Sequence, residues 1–401
     1  MVDQELKPHI IGLTGSFGSG CTYIADNILS KNGYKKVSLS DILKRLYEEE
    51  GNELVNGQRR SLQDFGDKLR QKNGNEFLAQ KTFTQISIES KEDPTAKWVV
   101  DSIRNPAEVR FLRRNSKFFL FGIYAERDTR WPRVREKYNN NYAQFLDDDK
   151  NDTGSESEAH GQRVGDCFSE ADIVLSNNQE IAAVGNDDFK ELEGVITSYS
   201  ELTEKPLEKK QPLREEEALM AMAYAISQRS SCLKRKVGAI IVDEFGNVIS
   251  SGFNEVPRSN IPCKHEYTEC YRDKLCNEFP QTLRKNFNLA EGEEDKIMGL
   301  FREKFRILDY CRALHAEENA ILNLIHSGPV LLKDSVLYTT TYPCRLCANK
   351  IVNSGIQKIV YLEPYPDEVA KTILERAGIK ERFFQGVTFK AYFRIYGDEK
   401  L

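Results

Sequence analysis

The sequence predicts an α/β protein organised as two domains, and three observations carry that expectation. The chain has 401 residues, more than one ordinary hydrophobic core organises. Its first half alternates short apolar runs with helical segments, the layout of a parallel sheet covered by helices. Its second half opens with a helix and a hairpin, then alternates strand and helix again.

In the first half, "HIIGLTG" (9–15) reads as a strand running into a glycine turn, and "CTYIADNILSKNG" (21–33) as a helix stopped by a glycine. "KKVSLSDILKRL" repeats the strand, polar turn and helix, and "KWVVDSI", "KFFLFGIYA" and "ADIVLSNN" read as buried strands. The acidic, Gly- and Ser-containing stretch 147–163 is predicted to be a mobile surface loop. The polar stretch 200–217, with two prolines and no apolar periodicity, predicts an interdomain connection. The expected division is therefore a domain over 1–200, a linker over 201–213 and a second domain over 214–401.

In the second half, "EEEALMAMAYAISQRS" predicts an amphipathic helix and "VGAIIVDEFGNVISSGF" a β-hairpin around Gly246 and Asn247. Residues 254–310 read as a long irregular insertion. Beyond it come a helix over 313–327, a strand at "SVLYTT", a helix over 344–354, a strand at "KIVYLE", a helix from 367 and a final strand near "VTFKAYF".

Composition narrows the function classes. The chain is 40% hydrophobic and 30% charged with a formal net charge of -5, so it lacks the basic footprint of a duplex-binding protein, and nucleic acid is a second-choice partner. The first residues, MVDQELKPH, are charged and contain no apolar core of a secretory signal, which predicts a cytoplasmic protein. No apolar run approaches the roughly 20 residues that span a bilayer, so no membrane partner is expected. Nine cysteines in such a chain suggest thiols and metal ligands rather than a disulfide framework.

The strongest chemical signal joins "LHAEENA" (314–320) to "YPCRLC" (342–347). His315, Cys344 and Cys347 supply three nitrogen and sulfur donors, the number a catalytic Zn²⁺ takes while keeping one position open to water; a closed structural knuckle needs four. Cys344 and Cys347 are spaced to face one side of a helix start, where thiolates are favoured. Glu317 lies too close to His315 to be an obvious further ligand, and its expected task is proton transfer.

These residues resemble the H-x-E and P-C-x-x-C signature of the zinc deaminases. With "SQRSSCLKRKVGAIIVD", "SSGFNEVP" and "TTTYPCRLCANKIVNSGIQKIVYLEPYP", the stretch 214–366 resembles the deoxycytidylate deaminase branch of the cytidine deaminase superfamily. The resemblance implies a cytidine deaminase-like α/β/α sandwich, a catalytic Zn²⁺, a deoxycytidine nucleotide substrate and a homo-oligomer. It also implies Glu317 as the catalytic acid and base, and Asn254 and Ala316 as substrate-binding residues. Related enzymes often hold a second, structural zinc in the insertion, for which Cys263, His265, Cys270 and Cys276 are the candidates here. Lys234, Arg235 and Lys236 are candidates for meeting substrate phosphates, and Tyr342, Tyr361 and Tyr365 lie near predicted strand ends.

The first half carries Gly15-Ser16-Phe17-Gly18-Ser19-Gly20-Cys21-Thr22 between a predicted strand and helix. This resembles a P-loop NTPase sheet of the nucleoside monophosphate kinase type, whose loop amides cradle phosphates. Cys21 stands where that motif has lysine, so binding is expected to survive better than phosphoryl transfer. By the same resemblance Thr22 and Asp101 would hold Mg²⁺, and Arg130 and Arg133 would grip phosphates from a lid. A kinase-like domain followed by a deaminase resembles the two-domain dCTP and dCMP deaminases of anti-phage defence. That likeness implies a regulatory nucleotide on the first domain and nucleotide-pool control as the role. The alternatives are a base editor of nucleic acid, and a nucleotide kinase or switch with a subordinate deaminase.

Overall fold

Apolar runs too long for one-sided burial become the inner strands of two separate sheets. The computed structural model describes residues 7–53, 59–153, 163–179, 187–204, 213–287, 289–290, 292–304, 310–327, 332–364 and 367–396. Among them the strands are β1 (His9–Thr14), β2 (Tyr34–Ser38), β3 (Lys97–Asp101), β4 (Lys117–Tyr124), β5 (Ile173–Ser176), β6 (Gly238–Val242), β7 (Val248–Phe253), β8 (Val336–Thr341), β9 (Lys358–Glu363), β10 (Lys380–Phe383) and β11 (Gly386–Val387). The chain divides into one unit of residues 1–217 with 385–401 and another of residues 218–384.

The first unit's sheet has the order β11-β5-β4-β1-β3-β2. β1 lies between β3 and β4 and pairs parallel with both, and Ile10, Ile11 and Leu13 are fully buried there. Among the described residues, only β11 runs antiparallel in this sheet, against the edge of β5. The segment after the 15–20 loop is helical as expected, though it tightens only briefly: an α-turn over Cys21–Ile24 passes into a π-helical stretch over Ala25–Leu29.

Three expectations about this unit are corrected. Residues 147–153 belong to the helix Tyr142–Thr153 rather than to a surface loop. Asp149 is buried there and pairs with the buried Arg130 guanidinium, a counter-charge that a solvated loop would not provide. The rest of that expected loop, 154–162, lies outside the described residues. Likewise 201–204 continue the helix Asp187–Glu204 instead of starting a linker, and 205–212 are not described. The third correction concerns "VTFKAYF". It forms the two-residue β11 and then the helix Phe389–Ile395, because Val387, Ala391 and Ile395 recur every four positions and enter the first unit's core. The last described residues thus complete the first unit, where the sequence had suggested the second.

The second unit's sheet has the order β10-β9-β8-β6-β7. β6 and β7 form the expected antiparallel hairpin, β8 is antiparallel to β6, and β8, β9 and β10 are parallel. The predicted irregular insertion is largely helical, over Cys263–Glu266, Tyr271–Phe287 and Glu293–Lys304. Pro280 inside the middle helix and the absence of any buried residue there explain why its periodicity was hard to read. Among the described residues no helix is long and apolar enough to cross a membrane.

Candidate active site

Two helix starts bring the second unit's chemistry together. The helix Ala316–Asn323 lies close on β7, and its approach needs Gly252, where an added Cβ would sit 2.3 Å from both the Ala316 carbonyl oxygen and the Ala320 nitrogen. Asn319 and Asn323 donate their side-chain amides to the carbonyls of Phe253 and Ser251, each at 2.8 Å, and Ser250 donates to the Ala320 carbonyl at 2.6 Å. These bonds fix the height of the helix on the sheet. A two-way bridge between Glu255 and Leu314 then places His315 immediately before the first turn. Cys344 precedes the helix Arg345–Ser354, which follows β8, and Cys347 sits in its first turn.

The geometry gathers His315, Cys344 and Cys347, whose donor atoms all lie within 4.8 Å of one another. His315 Nδ1 is 3.3 Å from each sulfur, close to the roughly 3.5 Å that a shared tetrahedral zinc sets between nitrogen and sulfur donors. The Cys344 thiol is drawn down to about 4, first by its hydrogen bond with Cys347 and then by His315. Cys347 is driven the other way by the same pairing with Cys344 and by burial. His315 is raised to about 10, through hydrogen bonds to Cys311 and then to Cys344. An imidazole and two sulfurs form the donor set that suits Zn²⁺.

Glu317 stands beside this group with its Oε2 3.6 Å from the Cys347 sulfur. It is 4% exposed, and burial pushes its carboxyl above the usual range. A carboxyl that holds its proton more firmly is suited to carry one.

Residues 213–363 match the family described as the cytidine and deoxycytidylate deaminase zinc-binding region. A deoxycytidylate deaminase of Enterobacteria phage T4 is 33% identical over 178 residues, which cover 40% of this chain and 86% of that protein. The chain belongs to the deoxycytidylate deaminase family. A deoxycytidylate deaminase of Saccharomyces cerevisiae is also 33% identical, over 168 residues that cover 41% of this chain and 43% of that one, less than half the yeast protein's length. Among solved structures, a dCMP deaminase from the cyanophage S-TIM5 in complex with dCMP and dUMP aligns at a TM-score of 0.29 with 24% identity, covering 42% of this chain and 96% of that one.

The other expected residues of the second unit have the following surroundings. Among the described residues no second set of three close metal donors forms, so Cys263, His265, Cys270 and Cys276 are not brought together as a zinc site. Cys263 and His265 lie on one four-residue helix, two positions apart and therefore on different faces, while Cys276 sits within the next helix. Asn254 is buried, with its Oδ1 accepting the Val237 N–H at 2.7 Å and its amide donating to the Arg235 carbonyl at 2.8 Å. It thereby orders the approach to β6. Ala316 is fully buried at the first position of the His315 helix. Lys234 pairs with Asp273 and Arg235 with Glu363. Tyr342 donates to Glu381 and meets Tyr361 edge-on, whereas Tyr365 is outside the described residues.

The first unit holds a cavity of about 360 Å³ lined by Gly15, Ser16, Gly18, Ser19, Gly20, Cys21 and Thr22 together with Asp101 and Arg133. Gly20 adopts φ 98° and leaves room for Asn177, whose Nδ2 would lie 2.3 Å from an added Cβ and which donates to the Ser19 carbonyl. Thr22 donates to Asp101 Oδ2 at 2.8 Å. Both expected lid arginines make contacts within the fold, and Arg133 also lines the cavity. Arg130 is buried outside the cavity lining, its two terminal guanidinium nitrogens donating to Asp149, one of them also to the Phe17 carbonyl, and its Nε donating to the Ala125 carbonyl. Arg133 donates to the carbonyls of Gly18, Asn177 and Gln179 and so ties the loop to the end of β5. Sequence reasoning missed Asn177; the paired polar residues closing "VLSNN" were the available signal.

Proposed function

We propose that the second unit hydrolytically deaminates deoxycytidine nucleotides, dCMP and/or dCTP, to the deoxyuridine nucleotides and ammonia, and that the first unit binds a regulatory nucleotide. The convergence of His315, Cys344 and Cys347 beside the buried Glu317 carboxyl carries this reading. Membership in the deoxycytidylate deaminase family supports the substrate class.

His315, Cys344 and Cys347 would hold Zn²⁺, which when bound acts as a Lewis acid and makes water nucleophilic near neutral pH. Glu317 does the proton work. It accepts one proton of the attacking water and delivers it to N3 of the cytosine ring, then carries the other to the amino nitrogen. The C4–O bond forms, the C4–N bond breaks, and the two water protons end on N3 and in the departing ammonia. Burial suits the carboxyl to both steps, since a proton held there is not lost to solvent between them.

In the first unit, the cavity along the 15–22 loop supports a phosphate-binding role, with Thr22 and Asp101 on the side where Mg²⁺ would sit. Cys21 offers no charge: burial raises its thiol to about 12. The reading therefore assigns this unit to sensing a nucleotide in control of the deoxycytidine pool, within a homo-oligomer.

The test is ammonia release from CMP, dCMP, CTP and dCTP by the zinc-loaded chain, each with and without ATP, GTP or dTTP. Turnover of the deoxynucleotides, altered by one added nucleotide, is the expected outcome. Zinc-loaded protein that releases no ammonia from any of the four would overturn the proposal, and editing of a nucleic-acid strand instead would replace it.

A further inference from the structure

The two helices that bring the second unit's donors together rest on different strands. The helix Ala316–Asn323, which begins after His315, is seated on β7, whereas the helix Arg345–Ser354, which begins after Cys344, follows β8. β6 runs between those strands in the sheet, so no direct pairing of β7 with β8 sets the distance between the helix starts. Each helix is held by its own apolar face: Ala316 and Ala320 are buried on the first, and Cys347, Ala348 and Ile351 on the second. Keeping one nitrogen and two sulfurs at metal-binding separation calls for a contact that joins the helices themselves.

Such a contact lies just outside the donors. Glu318, the third residue of the first helix, reaches in two directions. Its Oε2 accepts the His315 backbone N–H at 3.4 Å and closes the first turn on the residue that carries the imidazole. Its Oε1 meets the Lys350 ammonium of the other helix at 2.9 Å. Lys350 follows Cys347 by three positions, which puts both on one helix face, and the Cys344 and Cys347 sulfurs are among the groups whose charge acts on its ammonium. The side chains are 18% exposed at Glu318 and 41% at Lys350, so the pair is shielded on the carboxylate side and open on the other. Glu317, one position earlier, faces the Cys347 sulfur instead, and the neighbouring carboxylates therefore have different partners.

We infer that Glu318 and Lys350 form an outer strut that holds the His315 and Cys344 helix starts at metal-binding separation and so governs how long a bound Zn²⁺ is retained. This rests on the reading that His315, Cys344 and Cys347 hold zinc. Both are positioning residues, acting through the donors rather than as donors. A partly exposed ion pair adds little to folding by itself. Its leverage is on the metal, because an ion held by three donors leaves when one of them swings away, and the strut opposes that movement.

The experiment loads the full chain with Zn²⁺ and follows its release to an excess of a chromophoric chelator, for wild type, Lys350→Met, Lys350→Arg, Glu318→Gln, and Lys350→Met combined with Glu318→Gln. Co²⁺ loading of the same proteins reports the donor geometry through the sulfur-to-cobalt absorption bands, and thermal unfolding without metal establishes that each variant is folded. Lys350→Met keeps most of the stem and removes the charge; it is expected to speed zinc release about 10-fold and to shift the cobalt bands. Glu318→Gln keeps an acceptor for the His315 N–H and should also speed release, while the double variant should be no faster than the faster single, since both break one contact. Lys350→Arg should retain zinc nearly as the wild type does. If Lys350→Met does not fold, Glu318→Gln against Lys350→Arg carries the same comparison. A merely structural role would lower the unfolding temperature and leave the cobalt bands in place. Zinc release and cobalt bands that stay at wild-type values, or single effects that add in the double variant, overturn the strut while the metal reading stands. A wild type that takes up no zinc overturns both.

Discussion

The carboxyl of Glu317 and the three donors beside it have separable duties, so single substitutions should split them. Glu317→Gln removes proton transfer but leaves His315, Cys344 and Cys347 in place; deamination is expected to fall by at least about 10²-fold, with zinc content by elemental analysis unchanged. Cys344→Ser should lose both zinc and activity, because the sulfur it removes is the one already drawn toward the thiolate. His9, in the first unit, carries a pH prediction. It is held down to about 4, mainly by burial and then by Lys117, and its Nδ1 has no hydrogen-bond partner. The folded state therefore prefers neutral His9, so its contribution is complete above the unfolded value near 6.5 and is lost as pH falls toward 4. At most about 3 kcal/mol is at stake over that window, and denaturant titrations of His9→Gln should show a flatter acid limb than wild type. The grouping of His315, Cys344 and Cys347 beside Glu317 could be anticipated because each lies at a helix start within a short, readable motif. Asn177 was not anticipated, since its role arises only when the end of β5 and the 15–20 loop come together.

At the scale of elements, the alternation of buried strand and helix predicted β1 to β5 well, and the hairpin β6–β7 was readable from its turn. The failures share a cause. Residues 147–153 read as a loop because their acidic side chains promise solvation, yet Asp149 is buried against Arg130, and that partner is brought in by the fold. The helix Tyr271–Phe287 buries none of its residues, so it lacked the apolar stripe that betrays a helix. "VTFKAYF" looked like a strand on residue preference, while its four-residue apolar spacing proved the better guide. Asp172 ties the last of these segments to β4: fully buried, it accepts from the Leu120 N–H, Arg113 and Arg394, while its carbonyl accepts the Thr388 N–H. Asp172→Ala would leave two arginines facing an emptied site and is expected to cost about 3–5 kcal/mol in urea unfolding. Asp172→Asn should behave much the same, because an uncharged amide does not answer the arginines.

For the whole molecule, the chain leaves its first unit after residue 217 and returns to it at 385. A chain ending at Phe384 keeps every residue of the second unit but strips Val387, Ala391 and Ile395 from the first unit's core. Hydrogen exchange should then accelerate in β4 and β5, while β6 and β8 keep their protection; equal loss in both sheets would contradict the division of the chain. The return also has a consequence in time. Gln385 meets Ser176 across 209 positions of sequence, so a ribosome must make the intervening unit before the first one can close. At typical elongation rates that interval is roughly 10–40 s, during which β5 waits with an open edge, the kind of surface that recruits other nascent chains. The last short strand is thus the step at which synthesis of this protein is most exposed to aggregation.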